Sequence, residues 1–200
     1  MDLALLAQWV GAIGVGLFYP IQNWRAIVTR NPIGLSFLAF SAIGVGLFGY
    51  ISLGIHLGTP VFYGLNIVNL LFVFLLLGLM WRSSSPPSKK ERTAGILVLA
   101  IGAASVVAVN LWMAGVAATV SGWIGLAGIV SFYPIQNAKL LKSHDPTGLS
   151  LTAFIALFLG LCSLTVFGVV VKDITVTLGN GLTALGNIPI ICGILFWKKK

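Results

Sequence analysis

One stretch of the chain occurs twice, and in each copy a proline–glutamine group is followed by a glycine–leucine–serine turn. The first copy begins at Phe18–Asn23 (FYPIQN) and closes at Asn31–Ser36 (NPIGLS). The second begins at Phe132–Asn137 (FYPIQN) and closes at Asp145–Ser150 (DPTGLS). The offset is 114 residues at every matched position, without an insertion. A polar pair kept in register within apolar sequence indicates a structural unit that the chain uses twice.

The composition places this unit in a membrane. Hydrophobic residues make up 58% of the 200 residues and charged residues only 8%, whereas a soluble domain carries about a quarter charged residues. The apolar runs are continuous, which favours helices over a barrel of alternating strands. We therefore predict an all-α integral membrane protein. Its net charge of +8 is then a property of membrane loops rather than a sign of nucleic-acid binding.

Seven apolar runs reach the length of about 20 residues that a membrane crossing requires. Their predicted bounds are Leu3–Trp24, Leu35–Ile55, Pro60–Trp81, Ala94–Met113, Ala118–Leu140, Leu149–Val171 and Ile174–Trp197. The segment Arg82–Arg92 is polar and broken by proline, and it is predicted to be a linker in water.

The basic residues predict the orientation of these spans. With seven spans and the N-terminus outside, 11 of the 12 Lys and Arg residues lie on the inner side, and only Lys172 lies outside. Without the fourth span the division would be seven against five, and the inner excess that orients membrane proteins would disappear. We therefore predict seven transmembrane helices with the N-terminus outside and the C-terminus inside.

The fourth span belongs to neither copy and acts as an inverter. Three helices are an odd number, so one extra crossing lets both copies insert in the same direction. The predicted organisation is a first three-helix repeat at 1–81, a linker and inverter helix at 82–117, and a second repeat at 118–200. Transporters built from such parallel repeats hold their substrate near the midplane, at the interface between repeats.

The repeated prolines predict hinges in the first and fifth spans. Proline removes one backbone donor and kinks a helix, and the freed carbonyl in lipid needs a partner. The glutamine two residues later could donate to it. A static kink is the alternative to a hinge. Both copies in this chain keep the whole group, which favours the hinge. The predicted hinge or gate residues are Tyr19, Pro20, Gln22, Tyr133, Pro134 and Gln136.

The third helix of each copy carries a polar stripe. Residues three or four positions apart share a helix face, and amides at mid-bilayer are costly unless they are paired or wet. A single amide would normally join helices; two stripes at repeat-related positions favour the wall of a cavity. The predicted substrate-binding residues are Tyr63, Asn66 and Asn69 in the first copy, and Thr177, Asn180, Thr183 and Asn187 in the second. Asn110, which has no counterpart, is interpreted as a helix-packing residue.

Ionisable groups are missing from the interior of the spans, and this limits the chemistry. The four acids, Asp2, Glu91, Asp145 and Asp173, lie in loops or at span ends. An enzyme needs a base, a nucleophile or a metal site, so we predict no catalytic residues, no metal and no cofactor. A proton pump usually needs a carboxylate within the membrane, and Asp145 is the one candidate proton site. The favoured substrate is a small neutral polar solute.

The Pro-x-Gln group, the Gly-Leu-Ser ending and the three-one-three arrangement resemble the PQ-loop and MtN3 superfamily, which includes the SWEET sugar transporters. The chain departs from the usual motif because Ile21 and Ile135 separate proline from glutamine. The resemblance implies that Asn66 and Asn180 pair with the substrate. It also implies an aromatic side chain that stacks on a sugar, for which Tyr50 and Phe48 are the candidates in the first copy; the second copy has none there.

Three functions remain open from the sequence. The first is facilitative transport by alternating access, with sugar as the leading solute and an amino acid or vitamin-like solute as alternatives. The second is a membrane adaptor or receptor that binds a partner through its basic loops, and the third, an intramembrane enzyme, lacks a reactive group. The expected partners are the solute, the lipid bilayer and, left open, further copies of the chain. A plasma or bacterial inner membrane is expected rather than an organelle.

Overall fold

The computed structural model describes residues 3–172 and 174–197, and within these ranges every regular element is helical. The helices are α1 Leu3–Thr29, α2 Phe37–His56, α3 Pro60–Trp81, α4 Lys89–Trp112, α5 Ala117–Ser143, α6 Leu151–Val170 and α7 Ile174–Phe196, with a 3₁₀ turn at Ala114–Val116 before α5. All seven are long and apolar enough to cross a membrane. The predicted all-α chain with seven membrane-capable helices is therefore confirmed. Lys198–Lys200, which entered the charge argument, and Asp2 and Asp173, which entered the argument on ionisable groups, lie outside the described residues.

Two helix ends lie five residues from the predicted bounds, further than the others. Helix α1 continues past Trp24 to Thr29, and α4 begins at Lys89, within the segment predicted to be a linker in water. The reason for the early start of α4 is a side-chain cap, because the hydroxyl of Ser88 accepts a hydrogen bond from the backbone N–H of Glu91 at 3.2 Å. Serine followed three residues later by glutamate is a helix-start signal, and it outweighs the polarity of this segment.

The backbone repeats the offset seen in the sequence. Arg30 and His144 follow α1 and α5 and both have a φ of 49°. Gly58 and Lys172 follow α2 and α6 with φ of 63° and 59°. A left-handed residue commonly ends a helix, and it is strained for residues other than glycine. Both pairs are separated by the same 114 residues, so the two halves of the chain end these helices by the same geometry.

Two compact units divide the chain along lines different from those of the sequence repeats. The first unit comprises Met1–Leu35 and Asn137–Lys200, and thus contains α1, α6 and α7. The second comprises Ser36–Gln136, and contains α2, α3, α4 and most of α5. Each unit therefore combines helices from both sequence repeats. The organisation into repeats at 1–81 and 118–200, joined by 82–117, stays a prediction from the sequence.

Glycines explain how these mixed helix pairs pack. In the first unit a Cβ on Gly14 of α1 would lie 2.6 Å from the Cα of Gly160 in α6. In the second unit a Cβ on Gly128 of α5 would lie 2.7 Å from the Cα of Gly46 in α2. No side chain fits at such crossings, and small residues are what let membrane helices approach this closely. The two crossings occupy equivalent positions in the repeat, so the same contact forms once in each unit.

Candidate functional site

The motif glutamine of the first copy binds the turn of the second copy. Gln22 is fully buried; its Nε2 donates to the carbonyl of Gly148 at 2.8 Å, and its Oε1 accepts from the N–H of Ser150 at 3.0 Å. Both bonds lie within the first compact unit. One amide thus satisfies a donor and an acceptor that flank the start of α6, where backbone groups have no helical partner.

The motif glutamine of the second copy makes the equivalent contact in the second unit. Gln136 is also fully buried, and its Oε1 accepts from the N–H of Ser36 at 2.9 Å. Ser36 then caps α2 by accepting from the N–H of Ala39 at 3.2 Å, just as Ser150 caps α6 through Ala153 at 3.3 Å. The same bonded arrangement therefore occurs once in each unit, and in each the glutamine bonds the serine of the opposite sequence repeat.

Of the two motif turns, residues 31–36 and 145–150, the part of the first that belongs to the first unit (31–35) touches the second. A Cβ on Gly34 would lie 2.5 Å from the carbonyl oxygen of Asp145, and a Cβ on Gly148 would lie 2.9 Å from that of Asn31. Glycine is thus required in both turns because the opposing backbone passes where a side chain would begin. The side chain of Arg25 donates from Nε to the carbonyl of Thr147 at 3.2 Å, which brings a positive charge to this contact.

Asp145, the candidate proton site, is bonded within its own turn. Its Oδ1 accepts from the backbone N–H of Thr147 at 3.0 Å, and also from the hydroxyl of that threonine. Asn31 makes the matching bond in the first copy, where its Oδ1 accepts from the N–H of Ile33 at 3.2 Å. Since an uncharged amide fulfils the same role, the turn itself does not require a carboxylate.

The amides beside the prolines do not act as the sequence suggested. A proline at position 20 frees the carbonyl of Gly16, but the amide of Gln22 donates to Gly148 instead. Asn23 donates to the carbonyl of Tyr19 at 2.8 Å within its own helix. Asn137 donates to Gly186 of α7 at 3.0 Å. The glutamine side chains therefore bond the motif turns. The two asparagines have different partners, since Asn23 bonds its own helix and Asn137 bonds α7.

The polar stripe of α3 leaves hydrogen-bonding capacity unused. Asn66 is largely buried, and its Nδ2 donates to the carbonyl of Phe62 at 2.8 Å. Its Oδ1 has no hydrogen-bond partner in the described part of the chain. Asn69 is 3% exposed and makes no side-chain hydrogen bond with any described residue. Tyr63 is half-buried on the same helix. Polar groups without internal partners are what a solute-binding surface needs.

The stripe of α7 behaves similarly at its central position. The half-buried Asn180 donates from Nδ2 to the carbonyl of Val176 at 2.8 Å, the same bond that Asn66 makes in the first copy. The hydroxyl of Thr183, by contrast, already bonds the carbonyls of Gly179 and Asn180 at 2.9 Å. Asn187 is fully buried and donates to Phe154 at 2.9 Å, and its Oδ1 has no partner among the described residues. Thr177 is half-buried near the start of the helix.

Three of the four tyrosines predicted for the site pack against aromatic neighbours or glycine. Tyr50 is half-buried, with its ring 5.9 Å from that of Phe62, and a Cβ on Gly125 of α5 would collide with it. Tyr19 and Tyr133 are buried and pack edge-on against their neighbours Phe18 and Phe132 at 5.0 Å.

Asn66 and Asn180 belong to different compact units, so a site that they share stays a prediction.

Glu91 is a positioning residue that the sequence reading missed. Its Oε1 accepts from the hydroxyl of Ser36 at 3.1 Å and from the N–H of Phe37 at 2.9 Å, which caps α2 with a carboxylate. The neighbouring guanidinium of Arg92 lies 4.5 Å from the ring centre of Trp81. A negative charge at a helix N-terminus is stabilising. The glutamate of a capping box ordinarily bonds its own helix, so its partner could not be read from the local sequence.

Asn110 joins α4 to its neighbours, as expected of a packing residue. Its Nδ2 donates to Ser52 at 2.8 Å, its Oδ1 lies 2.7 Å from Nε2 of His56, and Ser52 also bonds Ser121 of α5 at 2.9 Å. Among the described residues no three His, Cys, Asp or Glu side chains are grouped closely enough to hold a metal ion.

A groove of about 480 Å³ lies between α6 and α7 in the first unit. Phe158, Cys162 and Thr165 line it from α6, and one face of α7 from Thr177 to Ile188 lines it from the other side. The asparagines of α7 are not among its lining residues. The groove is therefore separate from the polar stripe, with Thr177 as the residue that the two have in common.

The whole chain has the fold of a solved transporter. It aligns with the structure of a eukaryotic SWEET transporter with a TM-score of 0.64 and 13% identity, covering 100% of both chains. No protein-family model matches the sequence, and no curated protein matches it. The likeness shows a SWEET-like fold. Together with the seven apolar helices it supports an integral, multi-pass membrane protein.

Proposed function

We propose that the chain is a facilitative transporter that moves a small neutral polar solute, with a sugar as the leading candidate, by alternating access. The proposal rests chiefly on the SWEET-like fold of the entire chain. A fold alone supports a function only by analogy, so the chemistry of the residues must agree with it. Amides and hydroxyls on membrane helices, without an ionisable group well inside a span, suit a solute that is recognised by hydrogen bonds rather than by charge.

The solute site is proposed to include Asn66 and Asn180, near the middle of the membrane. They occupy one position in the two sequence repeats, and each uses its Nδ2 on a carbonyl of its own helix. This bond fixes the rotamer of the amide and leaves Oδ1 to accept from a hydroxyl of the solute. Tyr63, Asn69, Thr177, Asn187 and Tyr50 are proposed to surround them, whereas Thr183 is occupied by its own backbone.

The gate is proposed to consist of the two motif groups, in which Pro20 and Pro134 act as hinges. Each proline precedes by two residues a glutamine that holds a motif turn. A bend at the proline would therefore change the angle between the body of its helix and a firmly bonded end. Tyr19 and Tyr133, which immediately precede the prolines and are buried, would move with that bend.

The orientation is proposed to be N-terminus outside and C-terminus inside, with α4 as the inverter between parallel repeats. In a chain whose Cys162 and Cys192 are replaced by alanine, a cysteine at position 172 is expected to react with an impermeant maleimide added outside. A cysteine at position 88 is expected to react only after the membrane is opened. Reaction of both positions from one side would mean that α4 does not cross, and would contradict the parallel arrangement.

Transport is expected to need no proton gradient. No acid lies well inside a span, and the carboxylate of Asp145 is bonded to Thr147 within its turn. In proteoliposomes, uptake down a solute gradient should proceed at the same rate with and without a protonophore. If the protonophore abolishes uptake and Asp145→Asn restores a gradient-independent flux, Asp145 is a proton site and the facilitative mechanism is wrong.

Counterflow in proteoliposomes tests the proposed function directly. Purified chain is reconstituted into vesicles loaded with one unlabelled solute, and accumulation of a labelled trace is measured across a panel of sugars, amino acids and nucleosides. A facilitative transporter accumulates the trace transiently only when the matching solute is inside. Counterflow of a sugar is the expected result, and silence across the whole panel in correctly folded protein would contradict transport of this class of solute.

A further inference from the structure

The groove between α6 and α7 is long, narrow and open to the surroundings of the helices. On α7 its lining extends from Thr177 to Ile188, which is about 16 Å along the axis at 1.5 Å per residue. Leu178, Leu182 and Leu185 border it with more than half of each side chain exposed. An apolar channel parallel to two membrane-crossing helices also runs along the bilayer normal.

The equivalent position in the other sequence repeat is filled by the protein itself. Phe48 of α2 and Phe74 of α3 pack with their ring centres 6.3 Å apart. Their counterparts at the 114-residue offset are Cys162 and Ile188, both in the lining of the groove. An aromatic pair in one repeat is thus replaced by smaller side chains in the other. Two of the residues that line the groove thus stand at the repeat positions of these rings.

Helix α4 covers the first repeat at this place, and the chain has one such inverter helix. A Cβ on Gly44 of α2 would lie 2.6 Å from Cδ2 of Leu99, so α4 presses an apolar side chain directly onto α2. The second repeat has Phe158 at the position of Gly44, and that ring lines one end of the groove. Along the rest of the groove, described protein provides no equivalent of Leu99.

The polar atoms at the groove do not call for a polar occupant. The hydroxyl of Thr165 donates to the carbonyl of Leu161 at 2.8 Å, so its hydrogen is already used. A Cβ on Gly181 would make an ordinary contact with the methyl group of Thr165 at 3.6 Å. The remaining lining is mostly aliphatic, and no described Lys, Arg, Asp or Glu belongs to it. An acyl chain in the bilayer is already surrounded by hydrocarbon, so its gain in this channel comes from van der Waals contacts with the aliphatic lining. Polar groups would gain no partner there.

We propose that the α6–α7 groove is a binding site for one acyl chain of a bilayer phospholipid. The occupant is argued from three observations: the groove runs parallel to membrane-crossing helices, its border is exposed and aliphatic, and apolar side chains fill the same place in the first repeat. The acyl chain thus takes the part that Phe48, Phe74 and Leu99 play there. The groove shares only Thr177 with the proposed solute site, and binding of an acyl chain there does not depend on transport.

The test restores the aromatic pair in the second repeat. The double variant Cys162→Phe with Ile188→Phe is compared with wild type and with the control Leu159→Phe with Leu195→Phe. The control adds the same two rings at side chains that are more than half exposed and outside the groove. Each full-length chain is purified in dodecyl maltoside with dioleoyl phosphatidylcholine, and native mass spectrometry counts the lipids that remain bound.

Wild type and the control are expected to retain one lipid more than the groove-filled variant. Equal lipid retention in all three chains would overturn the proposal. It would also be overturned if the wild-type chain forms dimers and the groove-filled variant does not, because a second copy of the chain would then occupy the groove. A second measurement needs no change in the groove: in a Cys192→Ala chain, added phospholipid should slow the reaction of Cys162 with N-ethylmaleimide. An unchanged rate would likewise contradict the site.

Discussion

Replacing Gln22 with leucine is expected to lower the free energy of unfolding by about 2–6 kcal/mol. The amide is fully buried and satisfies the carbonyl of Gly148 and the N–H of Ser150. Leucine has nearly the same volume but can bond neither group, and each buried group left without a partner costs about 1–3 kcal/mol. The change is measured by equilibrium unfolding in mixed micelles with increasing SDS.

Two further variants make this measurement specific. Gln136→Leu should also destabilise the chain, because it leaves the N–H of Ser36 without its acceptor. Asn66→Leu is the matched control, since its amide bonds only a carbonyl of its own helix, and it should unfold close to wild type. If Gln22→Leu is as stable as Asn66→Leu, the motif glutamine does not hold the turn in the way that its contacts indicate.

Replacing Asn66 or Asn180 with leucine is expected to raise the half-saturating solute concentration roughly 5- to 150-fold. This range corresponds to the loss of about 1–3 kcal/mol for a hydrogen bond removed from a dry site. The measurement is counterflow with the solute that the screen identifies, at several concentrations. Substitution of Tyr63, Asn69, Thr177 or Asn187 should have a smaller effect, because these residues are proposed to flank the central pair.

A kinetic contrast distinguishes binding from gating in the same assay. Pro20→Ala and Pro134→Ala should slow turnover while leaving the half-saturating concentration nearly unchanged, since they stiffen a hinge and spare the amides. Asn110→Leu removes an amide that joins α4 to α2 and should leave solute affinity unaltered. If either asparagine variant transports with wild-type affinity, or if the asparagine and proline variants have the same kinetic signature, the proposed central site is wrong.

The sequence predicted the helices well because their signals are local. Apolar length located seven helices. The left-handed residues Arg30 and His144, which follow α1 and α5 at the same 114-residue offset, were not predicted. Partner choice was not predictable in this way. Gln22 could bond the turn of its own copy or that of the other copy. The 114-residue offset is the same in both cases, so the repeat does not distinguish between them. The same ambiguity applies to Gly14 and Gly160, whose small size indicates a close crossing without indicating with which helix.

Charged residues near the linker show another limit of sequence reasoning. Ser88 and Glu91 form a local start signal, which was available in the sequence and would have moved the start of α4 to Lys89. The carboxylate of Glu91, however, reaches Phe37, which is 54 positions away in the chain.

The groove between α6 and α7 was not predictable from the sequence either, because Cys162 and Gly181 are apolar or small and look like ordinary packing residues. It became visible only when the filled and unfilled repeats could be compared in three dimensions.

The bond between Gln22 and Gly148 also bears on how the chain is made. Its two residues are separated by 126 positions, and a ribosome adds about 5–20 residues per second. Helix α1 therefore spends roughly 6–25 s in the membrane before its amide can meet its partner. During this time an early-inserted helix carries an unpaired polar group in lipid, and a translocon or a chaperone has reason to shelter it. The first unit cannot assemble until α6 and α7 have been made, because it combines them with α1.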